Sequence, residues 1–388
     1  MVDYAVTQRI STRPRARARD NSFLRNLDWV LLLAVAGLVS YGLWAIDGIT
    51  RGDVAGDPNY YVLRQSVYAL LGVAGMLAMT LVEPGFWRRH AKTLYVVLIA
   101  LLVIAPVFGA EVRNTRRWID VGPFRFQPSE FGKLLLVLFL AAFLADRWRR
   151  LAERNTTLTA IGLAFVPVVL VFLQPDFGTA IVYAAVLGAV LFVAGTSWPH
   201  IAALLGGAAV AAAFVLWIGP AINVNILKEY QLARITGFTN PSQDPGGTTY
   251  NVTASITAVG AGGPTGRGVE GATQTNYNYL PEHATDFAFA SLSEQRGFVG
   301  ATILLLLYLL IIWRALKVIT LARDAFSAIA AGGIAFMLLI QIFINVGMTI
   351  GMAPITGIPL PFVSVGGSSM VANLLAIGVL QSICVRRR

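Results

Sequence analysis

Apolar residues in this chain run on rather than alternate. Stretches with hardly a charge begin near Leu27, Leu63, Leu94, Glu130, Thr159, Gly178, Ile201, Gly297, Phe326 and Gly367. Each approaches the roughly 20 residues that an α-helix needs to cross the hydrocarbon of a bilayer. The pattern predicts an all-α polytopic membrane protein with about ten transmembrane helices. Residues 1–25, rich in Arg, Ala and Pro and without apolar periodicity, read as a disordered basic arm held loosely to anionic lipid. Residues 26–388 read as a single membrane domain. Its seventh and eighth apolar runs are separated by a polar segment from 220 to 296, and loops of that length are either functional or disordered. Between the last two runs, GMAPITGIPLPFVSVGGSSM is too rich in Pro and Gly for a lipid-exposed helix. It reads as a packed re-entrant loop or cavity wall, with Ser364, Gly366, Gly367, Ser368 and Ser369 opening the final helix.

Composition sharpens this picture. With 388 residues, 56% hydrophobic, the chain is too apolar for a soluble protein of its size. The net charge of +10 comes from basic residues concentrated on one side of the expected bilayer. They are Arg9 to Arg25 in the arm, then Arg88, Arg89 and Lys92, then Arg147, Arg149, Arg150 and Arg154, then Arg314, Lys317 and Arg323, and finally Arg386 to Arg388. By the positive-inside rule both termini are cytoplasmic and the 220–296 loop faces outward. The charge is thus a topology signal and not a nucleic-acid footprint. The first apolar run lacks a small-residue cleavage site and reads as a retained helix. A single cysteine, Cys384, excludes a disulfide framework and a thiolate metal site.

Candidate chemistry gathers in the outer loops. Asn276 to Glu294, NYNYLPEHATDFAFASLSE, brings carboxylates, a histidine and aromatics into one polar stretch between membrane runs. Pro281 predicts a helix start that would place Glu282 and Asp286 on one face, four residues apart. In another loop Arg116, Arg117, Trp118, Phe124, Arg125 and Phe126 interleave guanidinium groups with aromatic planes. That suits a ligand with phosphate and flat or apolar surface, as well as an interfacial aromatic belt. Glu130 and Lys133, three apart at the start of a membrane helix, mark a wet cavity, which Asp176 joins from a short turn between Pro175 and Gly178. Arg64 sits at the outer end of the second run, where it could snorkel or bind a ligand. Arg234 and Arg267 lie in the long loop, and glycines 260, 262, 263, 266 and 268 could present N–H groups to phosphate oxygens or simply make the loop flexible. Gln341 and Asn345, four apart in the ninth run, are expected to face protein rather than lipid.

Several of these stretches together resemble the SEDS family of cell-wall proteins, whose members include RodA and FtsW. The resemblance runs in order through RRWIDVGPFRFQPSEFGK, LQPDFGTA, YQLARITGF, GAGGPTGRG, LPEHATDFAFA and NVGMTIGMAPITGIPLPFVSVGGSSMVANLLA. The run GMTIGMAPITGIPLPF is nearer the elongation member, RodA, than the division member, FtsW. The resemblance implies a peptidoglycan glycosyltransferase that polymerises lipid II on the outer face of the bacterial cytoplasmic membrane, beside a class B penicillin-binding protein. It implies Asp286 as the catalytic acid, with Trp118, Arg125, Glu130, Lys133 and Asp176 as functional positions. Where the family has histidine two places before the aspartate this chain has Ala284, with His283 one place earlier, so His283 takes no assigned role. On this reading Asp286 is the general base, Glu282 adds a like charge beside it, and Arg125, Lys133, Arg116, Arg117, Arg234 and Arg267 supply positive charge for a departing diphosphate. The partners implied are lipid II, the growing glycan strand and membrane lipid. Mg²⁺ or Mn²⁺ on the diphosphate fits such chemistry, although no carboxylate cage for one is visible and no organic cofactor is expected. A flippase for the lipid-linked precursor is the competing class, since buried charges beside broken helices also suit a translocation path. A scaffold without activity of its own is a third.

Overall fold

The computed structural model describes residues 20–112, 115–122, 124–218 and 248–387. In chain order the helices are α1 (Asp20–Asn26), α2 (Trp29–Thr50), α3 (Tyr60–Leu81), α4 (Pro84–Arg89), α5 (Ala91–Phe108), α6 (Pro128–Ala145), α7 (Arg154–Leu173), α8 (Phe177–Ala194), α9 (Trp198–Ala213), α10 (Thr248–Ala261), α11 (Ala288–Leu321), α12 (Ala325–Thr349) and α13 (Gly367–Val385). Among the described residues nine of these, all but α1, α4, α9 and α10, are long and apolar enough to cross a membrane. Helix α9, with 16 residues, is shorter but runs on as a π-helix from Phe214 to Ile218, in the place of the seventh expected run. The chain is an all-α polytopic membrane protein. In hydrocarbon only a helix satisfies its own backbone, so sequences this apolar have little choice.

Polar residues decide where the helices start. Asp28, Asp176 and Asp324 accept from the backbone N–H groups of Leu31, Thr179 and Ser327, capping α2, α8 and α12. The centre of the bundle is α6, of whose most apolar stretch 89% is buried, against 22% for α3 and for α5. Helix α13 packs along α3, and α12 packs on α6, α8 and α11. Near the chain ends Arg314 on α11 forms a 2.6 Å ion pair with Asp28, whose backbone exchanges hydrogen bonds with the Gln381 amide on α13.

The structure adds four features that the hydrophobic pattern did not show. Between α5 and α6 lies a three-stranded antiparallel sheet of β1 (Ala110–Val112), β2 (Thr115–Val121) and β3 (Phe124–Phe126), in which Asp120 pairs with Arg125. Its strands are too short for a period of two to show. Residues 20–25, expected to be disordered, lie in α1, whereas the rest of the basic arm lies outside the described residues. The described part of the long loop, 248–287, is a folded cap built on α10, which packs on α11 and α12. Finally, α11 bends where Gly297 adopts a left-handed φ of 65°, so its first turns are a buried polar segment and its remainder the apolar span.

Candidate active site

The helix expected from Pro281 does not form. Residues 281–287 make successive turns, and α11 starts only at Ala288. Glu282 has a left-handed φ of 56°, and its carbonyl accepts from both Thr285 N and Phe287 N. A side chain at such a φ cannot sit inside a right-handed helix. Glu282 and Asp286 therefore share a turn rather than a helix face, and the Glu282 carboxylate accepts from Thr285 Oγ1 at 2.8 Å.

What holds this turn comes from elsewhere in the chain. Three successive carbonyls each receive a donor: Ala284 from Val365 N at 2.9 Å, Thr285 from the Ser364 hydroxyl, and Asp286 from Asn345 Nδ2 at 2.9 Å. Asp286 itself is half-buried. Across from it stands Gly357, with a φ of 70°, where an added Cβ would lie 3.2 Å from Asp286 Oδ2. The Pro- and Gly-rich segment is thus the packed wall expected from its composition. It also packs on the start of α8, where a Cβ on Gly178 would lie 2.4 Å from the Thr356 carbonyl.

Asp176 is 3% exposed and accepts from Gln127 Nε2 at 3.1 Å and Ser129 Oγ at 3.2 Å, with Arg117 Nη1 at 3.4 Å. Arg117 stacks over Trp118, its guanidinium carbon 4.2 Å from the ring centroid. One turn into α6, Lys133 donates to both Glu130 oxygens at 2.8 Å and to Gln341 Oε1 at 2.6 Å. Glu130 and Lys133 are 2% and 1% exposed, so the wet cavity expected around them is a closed, paired core. All three ammonium protons are used.

Of the other candidates, Arg64, Arg116 and Arg125 lie on or beside the sheet and Arg267 in the cap. Arg116 and Arg125 are exposed on β2 and β3, and Arg125 Nε lies 3.5 Å from Asp120. The Arg125 carbonyl is held by the Ser368 hydroxyl, which also accepts from Gln127 N, each at 2.8 Å. Arg64 donates to Tyr60 and to Tyr68, whose ring meets Phe124 edge-on at 5.4 Å. Arg267 is exposed apart from a bond to Ala261 O, and Arg234 lies outside the described residues. In the glycine-rich loop the Gly262 N–H bonds back to α10, those of Gly263 and Gly266 bond within the loop, and Gly262 and Gly266 press backbone to backbone on residues 293–296.

Sequence reading gave no site role to Gln65, Ser364 or Asn345. The Gln65 amide exchanges bonds with Ser364 O and Gly366 N, both at 3.1 Å. Only the polar pair Gln341 and Asn345 within an apolar run signalled any of this. Nor did it find the partner of His283, whose Nε2 lies 3.1 Å from Asp53 Oδ1 in the α2–α3 connection. Among the described residues no three His, Cys, Asp or Glu side chains gather to hold a metal ion.

Comparison with known proteins places this geometry. The FtsW, RodA and SpoVE family model, described as "Cell cycle protein", matches residues 25–388. Stage V sporulation protein E of Bacillus subtilis is 37% identical over 357 residues, covering 91% of this chain and 94% of that one. Peptidoglycan glycosyltransferase MrdB of Escherichia coli is 36% identical over 364 residues, covering 94% and 95%. A chain from a solved peptidoglycan synthase complex, described as coordinating polymerization and crosslinking, superposes with a TM-score of 0.78 at 30% identity, covering 92% of this chain and 97% of that one. Rod shape determining protein RodA of Thermus thermophilus superposes with a TM-score of 0.69 at 28% identity, covering 93% and 97%.

Proposed function

The chain belongs to the FtsW, RodA and SpoVE family, and on that premise we propose that it is a peptidoglycan glycosyltransferase that polymerises lipid II into β-1,4-linked glycan on the outer face of the cytoplasmic membrane. Relatives of similar identity carry the name peptidoglycan glycosyltransferase. The observation that carries the reading is the placing of Asp286, a half-buried carboxylate in a turn whose carbonyls are held by other segments, closely faced by the backbone at Gly357. An acid whose place is fixed by distant segments is what proton removal from a hydroxyl requires.

In this mechanism the 4-hydroxyl of one saccharide attacks the anomeric carbon of another. The new C–O bond forms as the bond to the lipid diphosphate breaks, and the hydroxyl proton passes to Asp286. Base catalysis of this kind contributes about 10²- to 10⁴-fold in rate. Displacement from the opposite side inverts the centre, so no second carboxylate nucleophile is needed. Arg64, Arg116 and Arg125, on or beside the sheet, are assigned to the departing diphosphate, with Trp118 and Arg117 as its floor. Glu130, Lys133 and Asp176 are assigned to support beneath it, because their polar atoms are already matched. The likeness of GMTIGMAPITGIPLPF to the elongation member favours a role in cell elongation and shape.

The test is polymerisation of purified lipid II by the purified protein. Asp286→Asn keeps the shape of the side chain and removes the base. It should insert and fold normally and make no glycan; normal polymer from a well-folded variant would remove Asp286 from the chemistry.

A further inference from the structure

We infer that Asn345 is a positioning residue for the reaction, a clamp that fixes the Asp286 carboxylate relative to the wall at Gly357. The inference rests on reading Asp286 as the base. Asn345 lies in α12 and is 0% exposed. Its Nδ2 donates two hydrogen bonds, to Asp286 O at 2.9 Å and to Ile358 O at 2.8 Å. These acceptors belong to separate segments on the two sides of one carboxylate, since Ile358 follows the glycine that faces Asp286 Oδ2. A single amide thus sets the distance between the acid and its wall.

Two features say that the amide donors are what this position requires. Asn345 Oδ1 is buried and has no hydrogen-bond partner among the described residues. An unmatched buried acceptor destabilises a fold. Turning the amide over would be worse, because it would set its oxygen against two carbonyls. The Ala284 and Thr285 carbonyls are held by Val365 and Ser364, and Asn345 adds a hold on the main-chain carbonyl of Asp286 itself. One turn earlier on the same face, Gln341 anchors Lys133. The rigid α12 therefore ties the position of Asp286 to the buried charges of α6.

The experiment compares the full-length protein with Asn345→Leu, which has nearly the same shape and no donors. A second variant, Asn373→Leu, removes a buried asparagine that bonds only to Ser369 in its own helix. In nanodiscs with lipid II, Asn345→Leu should lower kcat about 10- to 100-fold, as expected for a misplaced catalytic group, with KM within about twofold. Asn373→Leu should keep kcat. Hydrogen exchange should quicken in residues 280–288 and 355–366 of Asn345→Leu, and stay at the parent rate in Asp286→Asn. Unchanged kcat, a loss carried by KM, an equal kcat loss in Asn373→Leu, or unchanged exchange in those segments would each overturn the clamp. Should Asn345→Leu fail to fold, Asn345→Ser, with one shorter donor, takes its place under the same criteria. Polymerisation by Asp286→Asn would instead remove the base, and the exchange result would still decide whether Asn345 holds the two segments.

Discussion

Lys133 shows how differently one residue reads alone and in place. By spacing it pairs with Glu130 and promises a cavity; in the fold its ammonium is used up by Glu130 and by Gln341, 208 residues away in the chain. Removing one member of a buried pair strands the other, which costs about 3–5 kcal/mol. Lys133→Met should therefore lower the melting temperature in detergent sharply, and Glu130→Gln together with Lys133→Met should recover much of the loss. Equal stability of parent and single variant would show that Glu130 does not depend on Lys133. Gly357 is the second case. Any side chain there meets the left-handed φ, costing about 1–2 kcal/mol, and places a methyl group 3.2 Å from Asp286 Oδ2. For Gly357→Ala we expect kcat to fall well beyond what the lost stability explains, measured as polymer per folded molecule. From the sequence, Asp176 was legible as a candidate because it is an acid between Pro175 and Gly178 at the join of two apolar runs, and Asp286 because it sits in a polar stretch rich in acids and aromatics within a family motif. Asn345 was legible only as a residue that faces protein.

At the scale of elements, the glycine-rich loop before α11 is the instructive one. Glycines this dense suggest phosphate contacts or flexibility, and in the fold two of the five, Gly262 and Gly266, serve close packing beside the bend at Gly297. An added Cβ at Gly266 would lie 2.2 Å from Gln295 O, whereas at Gly263 it meets open space, although both have positive φ. Gly263→Ala should cost only the conformational term, about 1 kcal/mol. Gly266→Ala should cost several times more and loosen the cap that carries the Asp286 turn, readable as a lower melting temperature and faster exchange in α10. Similar losses for the two would mean that the packing contributes little. The turn at 281–287 teaches the same lesson, for Pro281 signals a helix that the left-handed Glu282 stops.

At the scale of the molecule, nothing in the described residues resembles a cross-linking domain, and the chain superposes on a member of a peptidoglycan synthase complex. We expect a single-span class B penicillin-binding protein to bind the outer helices and lean on the 220–296 segment, favouring the competent arrangement of the Asp286 turn. Reconstituted with that partner, or with a partner variant lacking transpeptidase chemistry, the chain should polymerise faster than alone. Identical rates in all three preparations would exclude activation.

By itself the sequence determined that this is an all-α chain with many apolar helices able to cross a membrane. The bilayer makes this legible, because it demands long apolar helices and excludes unsatisfied backbone, a constraint that acts on each segment locally. The family was legible too, in motifs that run in order along the chain. Tertiary structure alone decided how the site is held: Asn345 on Asp286 across 59 residues, Ser364 on Thr285 across 79, Gln341 on Lys133 across 208. Such bonds join residues whose neighbours in sequence say nothing of each other. Hydrophobic period and turn chemistry describe a few turns of chain at most, and the hold on a carboxylate is set only when helices from distant segments pack side by side.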